Sequence, residues 1–97
     1  IETIEEYLKS NDYTYVAISI QLLDINNILE FEDYIFNIAI SKEYSFHCRV
    51  EALYFLKKHS SSYFYEISNY IDNFIVDDKE ESSRYAYMLI NLLPLSN

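Results

Sequence analysis

Apolar residues recur along this chain at spacings of three and four, the repeat that lines one side of an α-helix. Phe31, Ile35 and Ile38 follow at four and three. Val50, Leu53 and Leu56 follow at three, with Ala52 and Phe55 widening the stripe, and Ile67, Ile71 and Phe74 form a third set. Polar breaks separate such runs at Asn11-Asp12, Asn26-Asn27, Ser60-Ser61-Ser62 and Asp77-Asp78. The pattern predicts six helices, over about 2–10, 13–24, 27–40, 45–58, 62–76 and 81–93. Around 13–20, apolar and polar residues briefly alternate among aromatic and β-branched types, which a strand would also satisfy. Helical spacing elsewhere makes all-α the expected class, in one domain spanning 1–97.

Two phrases echo each other. EFEDYIFNIAI at 30–40 and EISNYIDNFIV at 66–76 share Glu30/Glu66, Tyr34/Tyr70, Ile35/Ile71 and Asn37/Asn73, 36 positions apart. Asp33/Asn69 and Ile40/Val76 are close swaps. A second element interleaves with the first: YVAISIQLLDI at 15–25, RVEALYFLKKH at 49–59 and RYAYMLINLLP at 84–94 align without gaps. Their first residues stand 34 and 35 positions apart. Two interleaved elements with one period predict stacked helical hairpins. In that scheme 30–40 and 66–76 are the second helices of successive pairs.

RVEALYFL at 49–56 and DDKEESSRYAYMLINL at 77–92 carry an acidic turn, then Arg, a small residue and leucines at helical spacing. In this they resemble the HEAT repeat family, over roughly 13–94. The first copy departs from the pattern, with Tyr15 where Arg49 and Arg84 stand. The resemblance implies a short right-handed α-solenoid of about three HEAT-like helical hairpins. It also implies binding through an exposed face, and no catalytic activity.

Composition narrows the function. Glycine is absent and Pro94 is the one proline. Phosphate-cradling loops and tight left-handed glycine turns are therefore excluded, and turns must use Asn, Asp and Ser. A single cysteine, Cys48, permits no internal disulfide and fits a reducing compartment. No run reaches the ~18 apolar residues of a membrane span, and the acidic start IETIEEYLKS lacks the basic and apolar regions of a signal peptide. A cytoplasmic location is expected. Sixteen acidic against seven basic residues set the net charge at −9. That charge repels phosphate, so direct nucleic-acid binding is not expected, and it draws a basic protein partner inward.

Candidate chemistry is sparse. His47-Cys48 lacks the three or four ligands of a zinc site, and adjacent helical residues diverge by ~100°. His59 shares a face with Cys48 but sits ~16 Å along the axis, too far for proton transfer. Asp77, Asp78, Glu80 and Glu81 lack the alternation and central glycine of a calcium loop, and read as an acidic helix start. No metal, cofactor or catalytic set is indicated, so an enzyme is not expected.

On a helical wheel, Glu30, Asp33, Tyr34 and Asn37 fall opposite Phe31, Ile35 and Ile38. The second phrase places Glu66, Asn69, Tyr70 and Asn73 on the same arc. The two phrases thus agree mainly on their polar side, which with Asp77, Asp78, Glu80 and Glu81 forms the expected partner-binding face. Tyrosine suits such a face, since it combines a rigid ring with one hydroxyl. A small, acidic, tyrosine-rich chain is similar in general traits to small acidic immunity proteins of bacterial toxin–immunity systems of the contact-dependent inhibition type. That similarity implies neutralisation of a cognate basic toxin, such as a nuclease. The alternatives are a nucleic-acid-mimic inhibitor, or a structural or adaptor piece of a longer helical repeat protein.

Overall fold

The computed structural model describes residues 2–41, 43–67 and 69, and over them the chain is helical, without a strand. The helices are α1 (Glu2–Leu8), α2 (Tyr13–Ile25), α3 (Glu32–Ile40), α4 (Phe46–His59) and α5 (Ser61–Ile67). The all-α expectation holds, and the alternating stretch at 13–20 lies within α2. The helix expected over 81–93, and most of 62–76 beyond Ile67, lie outside the described residues.

Side-chain caps open two helices. The Asp12 carboxylate accepts the Thr14 N–H at 2.9 Å to start α2, and Ser45 Oγ accepts the Cys48 N–H at 3.3 Å to start α4. The end of α2 is closed without glycine. Asn27 takes a left-handed φ of 56°. The Ile28 N–H then reaches back to the Leu23 carbonyl at 3.0 Å, and the Asn27 N–H to the Asp24 carbonyl at 3.2 Å. Those two bonds make a Schellman closure with Asn in glycine's place. The expected helix over 27–40 is corrected by this closure. With Asn27 left-handed, residues 28–31 form a connection, and α3 starts only at Glu32.

α1 packs on α2, α2 on α4, α3 on α4, and α5 on α4 and α3. α2 and α4 run parallel. Near their starts the Cys48 thiol donates to the Tyr13 carbonyl at 3.2 Å. At their ends Asp24 holds Lys58 Nζ at 3.0 Å and His59 Nε2 at 2.8 Å. α3 is antiparallel to α4, since Ser60, just after α4, donates to Glu32 at the start of α3 at 2.6 Å. The expected pairing of 15–25 with 30–40 is corrected accordingly: α1 pairs with α2, and α3 with α4. The apolar side of α3 (Ile35, Ile38, Ala39) is buried together with the broad stripe Ala52, Leu53, Phe55 and Leu56 of α4. Leu8, Val16, Ala17, Ile20, Leu23, Phe36, Cys48, Phe64 and Ile67 complete that core. Each large side chain fully buried in it contributes about 1.5–3 kcal/mol.

Burial also corrects the register of the repeat. Buried Val16, Ala17, Ser19 and Ile20 match buried Ala52, Leu53, Phe55 and Leu56, 36 positions on. Exposed Ile18, Gln21 and Leu22 match exposed Tyr54, Lys57 and Lys58 at the same shift. The gapless alignment at 34 instead sets exposed Ile18 and Leu22 against buried Ala52 and Leu56. Two residues turn a helix by ~200°, so this slip exchanges its inner and outer faces. The structural shift of α2 onto α4 therefore equals the 36-residue shift between the two phrases.

Candidate protein-binding face

The first turn of α3 holds Glu32 and Asp33, where the helix dipole favours negative charge. α5 lays Tyr63 across this turn. The Tyr63 ring stacks on Phe36 with centroids 4.9 Å apart, and its hydroxyl donates to the Asp33 carboxylate. That bond is the main cause that raises the Tyr63 pKa above its ordinary value; desolvation and the negative fields of Asp33, Glu32 and Glu66 add to it. Asp33 of the first phrase and Glu66 of the second thus act on one hydroxyl. Glu32 is tied down separately by Ser60.

The other expected face residues are distributed as follows. Glu30 is exposed in the connection before α3, and Asn37, Glu66 and Asn69 are exposed. Asp33 is exposed but engaged by Tyr63. Tyr34 does not stand opposite the core as expected. It is half-buried against it, with its hydroxyl 3.3 Å from that of Tyr44 and Lys9 Nζ 5.6 Å above its ring. Position 34 lies only ~40° from Ile38 on the wheel, so a large ring there reaches the core edge. Burial, followed by the bond to Tyr34, raises the Tyr44 hydroxyl. Tyr70, Asn73, Asp77, Asp78, Glu80 and Glu81 lie outside the described residues.

The residues weighed for chemistry have structural partners. Cys48 is fully buried, and burial raises its thiol pKa. His47 is exposed, 3.6 Å from Glu51. His59 is mostly buried, stacked on Phe55 with centroids 4.7 Å apart, and bonded to Asp24. Desolvation pushes the Asp24 carboxyl up, but hydrogen bonds from His59 and Lys58 hold it below its ordinary value. Among the described residues no group of three His, Cys, Asp or Glu side chains could hold a metal ion. None of the described helices is long and apolar enough to cross a membrane.

Two features escaped the sequence reading. Ser60 and Tyr63 sat in or beside a stretch assigned as a break, although a Ser before an apolar run is itself a helix-start signal. The outward face of α2 was the second. Val16, Ile20 and Leu23 make one stripe at four and three, while Tyr15, Ile18, Leu22 and Ile25 make another at three, four and three. Comparison with known proteins returns no matching family model, no matching curated protein and no matching solved structure.

Proposed function

We propose that this chain is a protein-binding module that captures a basic protein, as an immunity protein captures and neutralises a cognate toxin. The observation that carries this reading is the convergence of Glu32, Asp33 and Glu66 on Tyr63, in a chain of net charge −9. Exposed Glu30, Asn37 and Asn69 flank that cluster in sequence. In such a complex Tyr63 and the acids set the rim, steering a positive surface inward and fixing its register. The fold is read as a short right-handed HEAT-like solenoid. Parallel α2 and α4, antiparallel α3 and α4, and a common 36-residue shift support that architecture.

The test is capture from the native source at low and high salt, with the natural chain and with Glu30→Gln/Asp33→Asn/Glu66→Gln combined. The reading predicts a basic protein that the natural chain retains and salt releases, with at least about tenfold weaker binding by the variant. A captured protein that is acidic, or one held equally by the variant, contradicts it.

A further inference from the structure

A helix that is apolar all round belongs in an interior. α2 comes close to that: apart from Thr14, Ser19 and Gln21 its polar content is the single charged Asp24, and that carboxylate is already held by Lys58 and His59 of α4. Its inner stripe, Val16, Ile20 and Leu23, is fully buried. Its outer stripe, Tyr15, Ile18, Leu22 and Ile25, with Leu29 just past the helix, is between 39% and 72% exposed. α1 covers only one edge of this face. At seven residues it is about half the length of α2, and its Tyr7 meets Tyr15 with ring centroids 4.9 Å apart. On the other edge a groove of ≈ 410 Å³ runs between α2 and the start of α4, lined by Tyr13, Ala17, Ile18 and Gln21 on one side and Ser45 and His47 on the other.

Charge selects the occupant. A basic partner gains nothing from a face without free carboxylates, and the interfacial helices that bind anionic lipid carry a Lys- and Arg-rich polar side that α2 lacks. The matching surface is another uncharged helix with apolar residues spaced at three and four, and α2 of a second copy is one. In a twofold pair each surface meets its own copy, so the acids at the start of α3 would repel each other and so would Lys57 and Lys58 of α4, whereas the outer face of α2 carries no charge to repel. Charge depletion at the centre of a patch is also the compositional mark of an interface core.

We infer that α2 is a self-association surface, on which two copies pair through their α2 helices, antiparallel, around a twofold axis. The axis lies between Ile18 and Leu22, so that Ile18 meets Leu22 of the second copy and Tyr15 meets Ile25. Antiparallel packing sets each helix N-terminus beside the other's C-terminus, which the dipoles favour. It also places the uncharged Asn26-Asn27 end of one copy near Asp12 of the other. This surface is separate from the acidic cluster, because α2 packs on α1 and α4 while the cluster is built on α3 and α5.

Sedimentation velocity over a concentration series tests the inference, using the natural chain, Leu22→Glu and Tyr54→Glu. The natural chain and Tyr54→Glu are expected to shift to the dimer mass with concentration. Leu22→Glu buries an unpaired charge at the contact and weakens association at least about a hundredfold. A Leu22→Cys variant treated with a short bismaleimide provides an independent readout that does not require Leu22→Glu to fold. Copies are expected to cross-link through position 22, and not through Tyr54→Cys on the outer face of α4. A natural chain that stays monomeric throughout overturns the inference, including when it binds lipid vesicles or a different protein through this face. Equal association by Leu22→Glu, or equal cross-linking at the two positions, overturns it as well.

Discussion

α2 and α4 are parallel neighbours whose burial patterns agree over 16–22 and 52–58, a shift of 36 residues, yet their outer faces differ in chemistry. On α4 the outer positions are His47, Tyr54, Lys57 and Lys58, with Glu51 beside them. On α2 they are Tyr13, Thr14, Tyr15, Ile18, Gln21, Leu22 and Ile25. α4 buries Ala52, Leu53, Phe55 and Leu56, together with the charged Arg49, and sets Lys57 and Lys58 in water. α2 satisfies the core and then repeats apolar spacing on the far side. The difference lies in the outer faces: that of α4 is charged and suited to water, whereas apolar side chains on the outer face of α2 lack a partner within the described core.

The largest effects should separate inner from outer positions. Ile20→Ala on α2 and Leu56→Ala on α4 each remove a fully buried side chain, and each should lower unfolding free energy by about 2–5 kcal/mol. Leu22→Ala, measured by urea unfolding at concentrations where the chain is monomeric, should lower it by about 1 kcal/mol, because Leu22 is only partly covered within one copy. If Leu22→Ala costs as much as Leu56→Ala, the 36-residue burial register is wrong and the 34-residue alignment is restored.

The ends of the two helices come next. α2 stops at left-handed Asn27, whereas α4 passes through Ser60 directly into α5. Asn27→Ala should cost about 1–2 kcal/mol, because alanine resists a left-handed backbone, while Asn27→Gly should cost nothing. Equal losses for the two variants in thermal unfolding would show that the helix end does not depend on that conformation.

Asp24 joins the same two ends. Asp24→Asn should cost about 1 kcal/mol near pH 7, a modest figure because the pair is partly solvated. Folding depresses this carboxyl below its ordinary 3.8, so its contribution is complete above that value and fades as pH falls through the folded one. Acid titration of stability should therefore be flatter below about pH 4 in Asp24→Asn than in the natural chain. Tyr63 gives the smallest effect and the opposite sign. Its folded pKa is raised above 10.0, so its contribution is complete below that pH and is lost as pH climbs through the folded value. Tyr63→Phe should flatten the alkaline loss of stability.

Much of this architecture can be read from residue spacing. Ile35 and Ile38, or Leu53 and Leu56, declare a helix and its buried side without any structure, and Asn26-Asn27 announces a stop once glycine is known to be missing. The start of α3 could not be read the same way. Ile28 and Phe31 continue the apolar spacing and touch the core, although the backbone that carries Ile28 is a connection. Register was obscured for a related reason. Because α2 has apolar residues on both sides, its sequence aligns with α4 at 34 as readily as at 36, and only burial distinguishes the two. At the candidate site, Asp33 and Glu66 were visible as members of matching phrases. Tyr63, which draws them together, repeats nothing and could be found only once α5 was laid across α3.

The claim that α2 is an interior helix on both sides, while α4 is interior on one, is tested most directly by isotope-filtered methyl contacts between labelled and unlabelled copies. Cross-copy signals from Ile18 to Leu22 should grow with concentration, with none from Leu53 or Leu56, which are buried within one copy. Cross-copy signals absent from Ile18, Leu22 and Ile25 at every concentration would contradict it.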